Sequence, residues 1–143
     1  MGTKSWLSEY SVYLAWVIAL VSLVVSLYFS EILNYPPCVL CWYQRIFMYP
    51  LVFIIGIGIA RRDRAVSSYA LPLSIIGIGI ALYHNFLSWG VISESLAPCT
   101  SGVSCVNNVV LGYGFITIPL LSLVSFTLIT LLMLIHRSAH THD

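Results

Sequence analysis

Apolar positions along the chain gather into four long runs separated by short polar stretches. Runs at 12–33, 70–89 and 115–135 are each long enough to cross a bilayer, whose apolar core of about 30 Å needs about 20 residues of helix. The fourth run, 46–60, is shorter and reaches only about 22 Å at helical rise. Starting that helix at Cys41 lengthens it to 41–60, about 30 Å. Cys41 then sits at a membrane surface, and Arg45 lies about one turn inside it. The pattern predicts an all-α membrane protein, a four-transmembrane-helix bundle forming one integral membrane domain over 1–143. The first run is too long in its apolar part for a cleaved leader, and no small-x-small site follows it. It reads as a retained helix.

Composition agrees with this reading. Of 143 residues, 59% are hydrophobic and only 8% charged, against about 25% charged in an ordinary soluble domain. Mean hydropathy is +0.96. A net charge of +1 gives no field to attract a polyanion, which argues against a nucleic-acid partner. The placement of the cations is more informative. Lys4, Arg61, Arg62, Arg64 and Arg137 all fall on one side of a four-span chain. The positive-inside rule makes that side, and both termini, cytoplasmic. Segments 34–40 and 90–114 then face outward. Ala15, Ala19, Ser22, Ser26 and Ser30 form a small-residue seam along the first helix, suited to close packing. The string IIGIGIA occurs at 54–60 and again at 75–81. Its flanks do not repeat, so biased composition explains it, with glycines serving close backbone contact.

All four cysteines lie on the outward side. Cys38 and Cys41 form a C-x-x-C; Cys99 and Cys105 form a C-x5-C in the longer segment. Disulfides persist in an oxidising exterior, so the distribution suits disulfide chemistry. Structural disulfides, a zinc site and redox catalysis all fit cysteines so placed. Zinc is disfavoured by the wide second pair and by the lack of a histidine in the outward loops.

Local chemistry favours the redox reading. Pro36 and Pro37 discourage helix ahead of Cys38. The next helix therefore begins near the cysteines, and a thiol there feels the positive end of the helix dipole. Arg45, four residues past Cys41, shares its helix face and would favour a Cys41 thiolate. An interfacial arginine could instead reach the headgroups. His84 lies near the outward end of the third helix, about 8 Å deep, and Arg45 about 6 Å. The two match in depth and could face one pocket holding a polar head with an apolar tail, as a quinone has. A histidine bonded to a neighbouring helix is the plainer alternative.

The run Cys38-Val-Leu-Cys41-Trp-Tyr-Gln-Arg45 resembles the signature of the DsbB family, the membrane thiol:quinone oxidoreductases. YPPCVLCWYQRIFMYP at 35–50, PCTSGVSC at 98–105 and GFITIP at 114–119 look most like its short Gram-positive, BdbC-like branch. The resemblance spans nearly the whole chain. It implies a multi-pass protein of the bacterial cell membrane, with its cysteine loops outside. Such a protein reoxidises an extracytoplasmic thioredoxin-like disulfide oxidase and passes two electrons to a membrane quinone, menaquinone more than ubiquinone. It implies that Cys99 and Cys105 form the outer disulfide and that Cys99 is attacked by the partner. Cys105 then attacks Cys38 and frees Cys41 toward the quinone, with Arg45 and His84 beside the quinone. Proteobacterial relatives carry a much longer stretch between the second cysteines, so the order of attack at Cys99 and Cys105 stays open.

Rival readings keep the same architecture. One is a quinone-linked reductase like vitamin K epoxide reductase, against which the Arg45 signature argues. Another is a tetraspan scaffold with structural disulfides, which gives no reason for Arg45. The tail residues His136, His140 and His142 could handle metal, but a polar, frayed tail at 136–143 is the simpler expectation. Glu31, near the outward end of the first helix, could pair with Arg45, pass protons, or be an interfacial carboxylate.

Overall fold

The computed structural model describes residues 2–96 and 117–141. Four helices account for nearly all of them: α1 (Gly2–Leu27), α2 (Val39–Arg61), α3 (Val66–Ser88) and α4 (Ile118–Thr141). All four are long and apolar enough to span a membrane. Each packs on its neighbour in sequence, and α4 packs back on α1, so the bundle closes into a ring. Apolar side chains also cover the outside. Val17, Val21, Val24, Phe53, Ile57, Ile75 and Leu131 are exposed, as a lipid-facing surface requires and an aqueous one forbids.

The helices are offset from the apolar runs that announce them: α1, α2 and α3 begin earlier, whereas α1 gives way to a π-helical turn at Tyr28 and α4 begins at Ile118 rather than 115. α1 starts well before residue 12, and α3 starts at Val66 rather than 70. Hydropathy marks where a helix meets lipid, whereas backbone hydrogen bonding continues into the polar flanks. α2 begins at Val39, not Cys41, because Cys38 takes the cap position with extended backbone (φ −69°, ψ 168°) directly after the two prolines. At its other end Arg62 adopts left-handed backbone (φ 52°), and the Asp63 N–H closes the turn on the Gly58 carbonyl at 2.9 Å. Asp63 Oδ1 then accepts from the Ala65 N–H at 2.8 Å, which turns the chain into α3.

The expectation of a frayed, solvated tail is corrected. α4 continues through Thr141, and His136 is only 6% exposed. The cause is Ser8 on α1, whose Oγ lies 2.8 Å from His136 Nδ1 and 3.1 Å from His140 Nε2. His142 lies outside the described residues. The same end of the bundle gathers Ser8, Arg62, Arg64 and His136 around one recess. The first turns of α1 and α3 therefore share an end with the last turns of α2 and α4.

Close packing follows the small residues. Ala15 and Ala19 of the α1 seam are fully buried, and Ser22 donates to Ser125 of α4 at 3.0 Å. The two IIGIGIA strings are used differently. In the first, a side chain at Gly58 would collide with Val66, and one at Gly56 would press on Trp16; in the second, Gly77 faces the buried Phe126 ring and Gly79 faces open space. The strings are thus alike in composition and unlike in environment.

Candidate functional site

The other end of the bundle holds the polar side chains that the apolar interior would otherwise exclude. Its foundation is the start of α2. Cys38 Sγ accepts the Cys41 N–H at 3.4 Å, so the helix N-terminus is received by Cys38 and not by Cys41 as expected from sequence. The two sulfurs share a hydrogen bond at 3.0 Å. Cys38 is 7% exposed and Cys41 is half-buried. The adjoining Cys41 thiol, opposed by burial and aided by His84, holds the Cys38 thiol below its ordinary range.

His84 reaches the pair from α3. It is 2% exposed, and its Nε2 lies 3.8 Å from Cys38 Sγ. Its Nδ1 lies 3.1 Å from Gln44 Nε2. An amide nitrogen can only donate, so in this arrangement Nδ1 accepts and the ring proton sits on Nε2, facing sulfur. Sequence placed His84 in the same pocket as Arg45. The structure adds that its ring bridges Gln44 on one side and Cys38 on the other. The outward loops supply no histidine to the cysteines, as expected, but α3 brings one beside the first pair.

Arg45, only 9% exposed, is turned toward α1. Its Nε donates to Ser26 Oγ at 2.9 Å and its Nη2 to the Ser26 carbonyl at 2.8 Å. The guanidinium also stands 5.4 Å from the Trp42 ring centroid, in cation–π range. One turn further on, α1 widens into a π-helical turn over Tyr28–Ile32, a distortion that often accompanies functional sites. Glu31 on that turn is exposed and bonded to Ser30; Ser26, not Glu31, is the partner of Arg45.

Cys38, Cys41, Gln44, Arg45 and His84 open onto one cavity of about 280 Å³. Phe29, Tyr35, Met48, Tyr49 and Phe126 supply apolar walls. A few polar groups at one end of an apolar cleft are what fix the orientation of a small amphipathic ligand. Asn85 secures the neighbouring wall. Its Nδ2 donates to the Ala81 carbonyl at 2.7 Å and to Pro119 in the first turn of α4 at 2.9 Å. Cys99 and Cys105 lie outside the described residues.

Gln44 and Ser26 are the site residues that sequence reasoning missed. Gln44 offered one signal, as an uncharged amide inside an apolar span, three residues after Cys41. Ser26 was visible only as a member of the packing seam.

Fold and site together define a class: a multi-pass helical membrane protein that sets a vicinal dithiol, an imidazole and a guanidinium around one buried cleft. The family model described as "Disulfide bond formation protein DsbB" matches residues 8–136. The chain belongs to the DsbB family. It is 48% identical over 121 residues to "Disulfide bond formation protein C" of Bacillus subtilis (strain 168), covering 85% of this chain and 88% of that one. It is 42% identical to "Probable disulfide formation protein C 2" of Bacillus cereus (strain ATCC 10987 / NRS 248), covering 96% and 99%. With "Probable disulfide formation protein" of Metapseudomonas resinovorans the identity is 40%, covering 90% of each chain. No solved structure gives a significant match. Membership assigns the chain to disulfide bond formation.

Proposed function

We propose that this protein is a thiol:quinone oxidoreductase of the cell membrane. It reoxidises an extracytoplasmic thioredoxin-like oxidase and delivers the electrons to a membrane quinone, menaquinone in preference to ubiquinone. The observation that carries the reading is the convergence of Cys38, Cys41, Arg45 and His84 on one apolar-walled cavity. A quinone ring fits that chemistry. The aromatic and aliphatic walls suit the ring and its tail, and the cationic and imidazole groups suit its oxygens. When bound, it supplies a sink for two electrons and two protons.

The chain's own residues do the rest. Cys99 takes the attack of the partner's thiolate on the Cys99–Cys105 disulfide, and Cys105 leaves. Cys105 then attacks Cys38, breaking the Cys38–Cys41 bond and leaving Cys41 as the thiolate at the cavity. Exchange of this kind is favoured by a good leaving thiolate and an accessible disulfide. The Arg45 guanidinium, held in place by Ser26, supplies positive charge where negative charge develops. His84 keeps a proton-bearing nitrogen beside Cys38. The partner's second thiolate then displaces Cys99, the Cys99 thiolate attacks Cys105 to restore the Cys99–Cys105 disulfide and release Cys38, and the Cys38–Cys41 disulfide would reform as its two electrons pass to the quinone, leaving the partner's dithiol oxidised. The positive-inside rule, applied to the cation-rich end, supports an orientation with both termini inside and the cysteine segments outside.

Purified protein in detergent, given a reduced thioredoxin-like oxidase, should reduce a soluble menaquinone analogue. Cys41→Ser should abolish turnover. Arg45→Ala should raise the KM for quinone at least tenfold. A reduced partner lacking its resolving cysteine should accumulate a mixed disulfide with Cys99, because its remaining thiolate opens the Cys99–Cys105 disulfide and no second partner thiol displaces Cys99. Absence of turnover in a folded protein, with both quinone types and several partners, would overturn the proposal.

A further inference from the structure

The first cysteine pair and His84 also meet the requirements of a metal site. Their three ligand atoms lie within 4.8 Å of one another. They come from two helices, and two of the three residues are buried. A tetrahedral zinc ion with sulfur at 2.3 Å and nitrogen at 2.0–2.1 Å separates S from S by about 3.8 Å and S from N by about 3.6 Å. Cys38 Sγ and His84 Nε2 are already 3.8 Å apart. The sulfurs, at 3.0 Å, need to open by less than an ångström, and Cys41 faces the cavity into which it can turn. The same cavity leaves a fourth position for water.

Gln44 provides a second, independent observation. A histidine that binds metal through one nitrogen offers its other N–H to a fixed acceptor. Gln44 is already within hydrogen-bond distance of His84 Nδ1. Turning its amide over presents the oxygen instead of the nitrogen, with almost no change of shape. Nδ1 then donates, and Nε2 presents its lone pair to the site. Charge favours the same outcome. Two thiolates alone would be costly to bury, but two thiolates with a divalent cation and neutral imidazole carry no net charge.

We propose that Cys38, Cys41 and His84 form a redox-gated site for a thiophilic divalent cation such as zinc, with Gln44 orienting the imidazole. Binding releases the two thiol protons and changes no oxidation state. The disulfide form offers no thiolate and cannot bind. A bound cation occupies both sulfurs and holds the pair reduced. The proposal is independent of the quinone reading, because it requires only the dithiol.

The full chain in detergent, with Cys99 and Cys105 changed to serine and the remaining pair reduced, is titrated with cadmium under anaerobic conditions. One cation per chain should bind, reported by the thiolate-to-cadmium charge-transfer band, and zinc should compete for it. Oxidation of the pair beforehand, or Cys38→Ser, should abolish binding. His84→Ala and Gln44→Leu should each weaken it about 10- to 100-fold while the band persists. Zinc-edge X-ray absorption on the chain with His84 intact provides a check that needs no histidine variant; it should show two sulfurs and at least one imidazole nitrogen. Substoichiometric binding, affinity unchanged in His84→Ala, or a zinc spectrum without imidazole would each overturn the assignment. None of these readouts depends on quinone turnover.

Discussion

At the scale of single residues, the two cysteines of the C-x-x-C are not equivalent. Both sulfurs line the cavity, but the cap of α2, the Cys41 N–H and the contact with the imidazole fall to Cys38. A thiol held below the ordinary range keeps its reactive thiolate as pH falls. An ordinary thiol, with pKa near 8.5, loses thiolate about 80-fold between pH 8 and pH 6. In the reduced chain lacking Cys99 and Cys105, the alkylation rate of Cys38 should fall far less than that over the same range. Mass mapping of the alkylated peptide decides it, and a Cys38 rate that follows the ordinary curve would contradict the arrangement. The sequence already contained the cue, since Pro36 and Pro37 mark where the helix starts. What it lacked was the cap geometry, which assigns the helix terminus to one sulfur and not the other. Gln44 was legible only as an amide in an apolar span, for a related reason: its significance lies in a contact with α3, forty residues away.

Elements were more legible than residues. Four apolar runs became four helices because a backbone in lipid must satisfy its own hydrogen bonds, and one helix per run does so. Their ends were less readable. His136 was expected in solvent because its neighbours are polar, and Ser8 on another helix draws it inside. Glycine usage was half legible. Close contact was foreseen, but only the structure separates Gly77, against the buried Phe126 ring, from Gly79, against nothing. Gly77→Ala should therefore destabilise the bundle by about 1–3 kcal/mol through overpacking, and Gly79→Ala should not. Thermal unfolding in detergent should show a lowered Tm for the first variant alone. Equal melting of the two would mean that α3 and α4 are not packed as described.

For the whole molecule, the antiparallel ring sorts its polar chemistry to two ends. Thiols, Arg45 and His84 occupy one, and the arginine-rich turn with the α1–α4 clasp occupies the other. If the proposed orientation holds, the two ends meet different compartments. Ser95 and Ser138 are exposed at opposite ends. In a chain whose native cysteines are serine, Ser95→Cys should react with a membrane-impermeant maleimide in intact cells. Ser138→Cys should react only after lysis. The reverse pattern would invert the assignment and put the cysteine pairs inside. Sequence reached the whole-molecule level through the distribution of six cations and four cysteines, a signal that needs no tertiary contact. The segment carrying Cys99 and Cys105 is beyond it, because five intervening residues fix neither a path nor a neighbour.

The clasp between Ser8 and His136 has a consequence for how the molecule is made. Its partners are separated by 128 positions. At translation rates of about 5–20 residues per second, roughly 6–25 s elapse between the synthesis of one and the other. During that interval α1 lacks the α4 side of its packing, and Ser8 lacks its histidine partners. The ring cannot close before α4 is made, and nascent chains stalled ahead of α4 should present the α4-facing side of α1 to whatever insertion machinery or quality-control protease surveys unfinished membrane proteins.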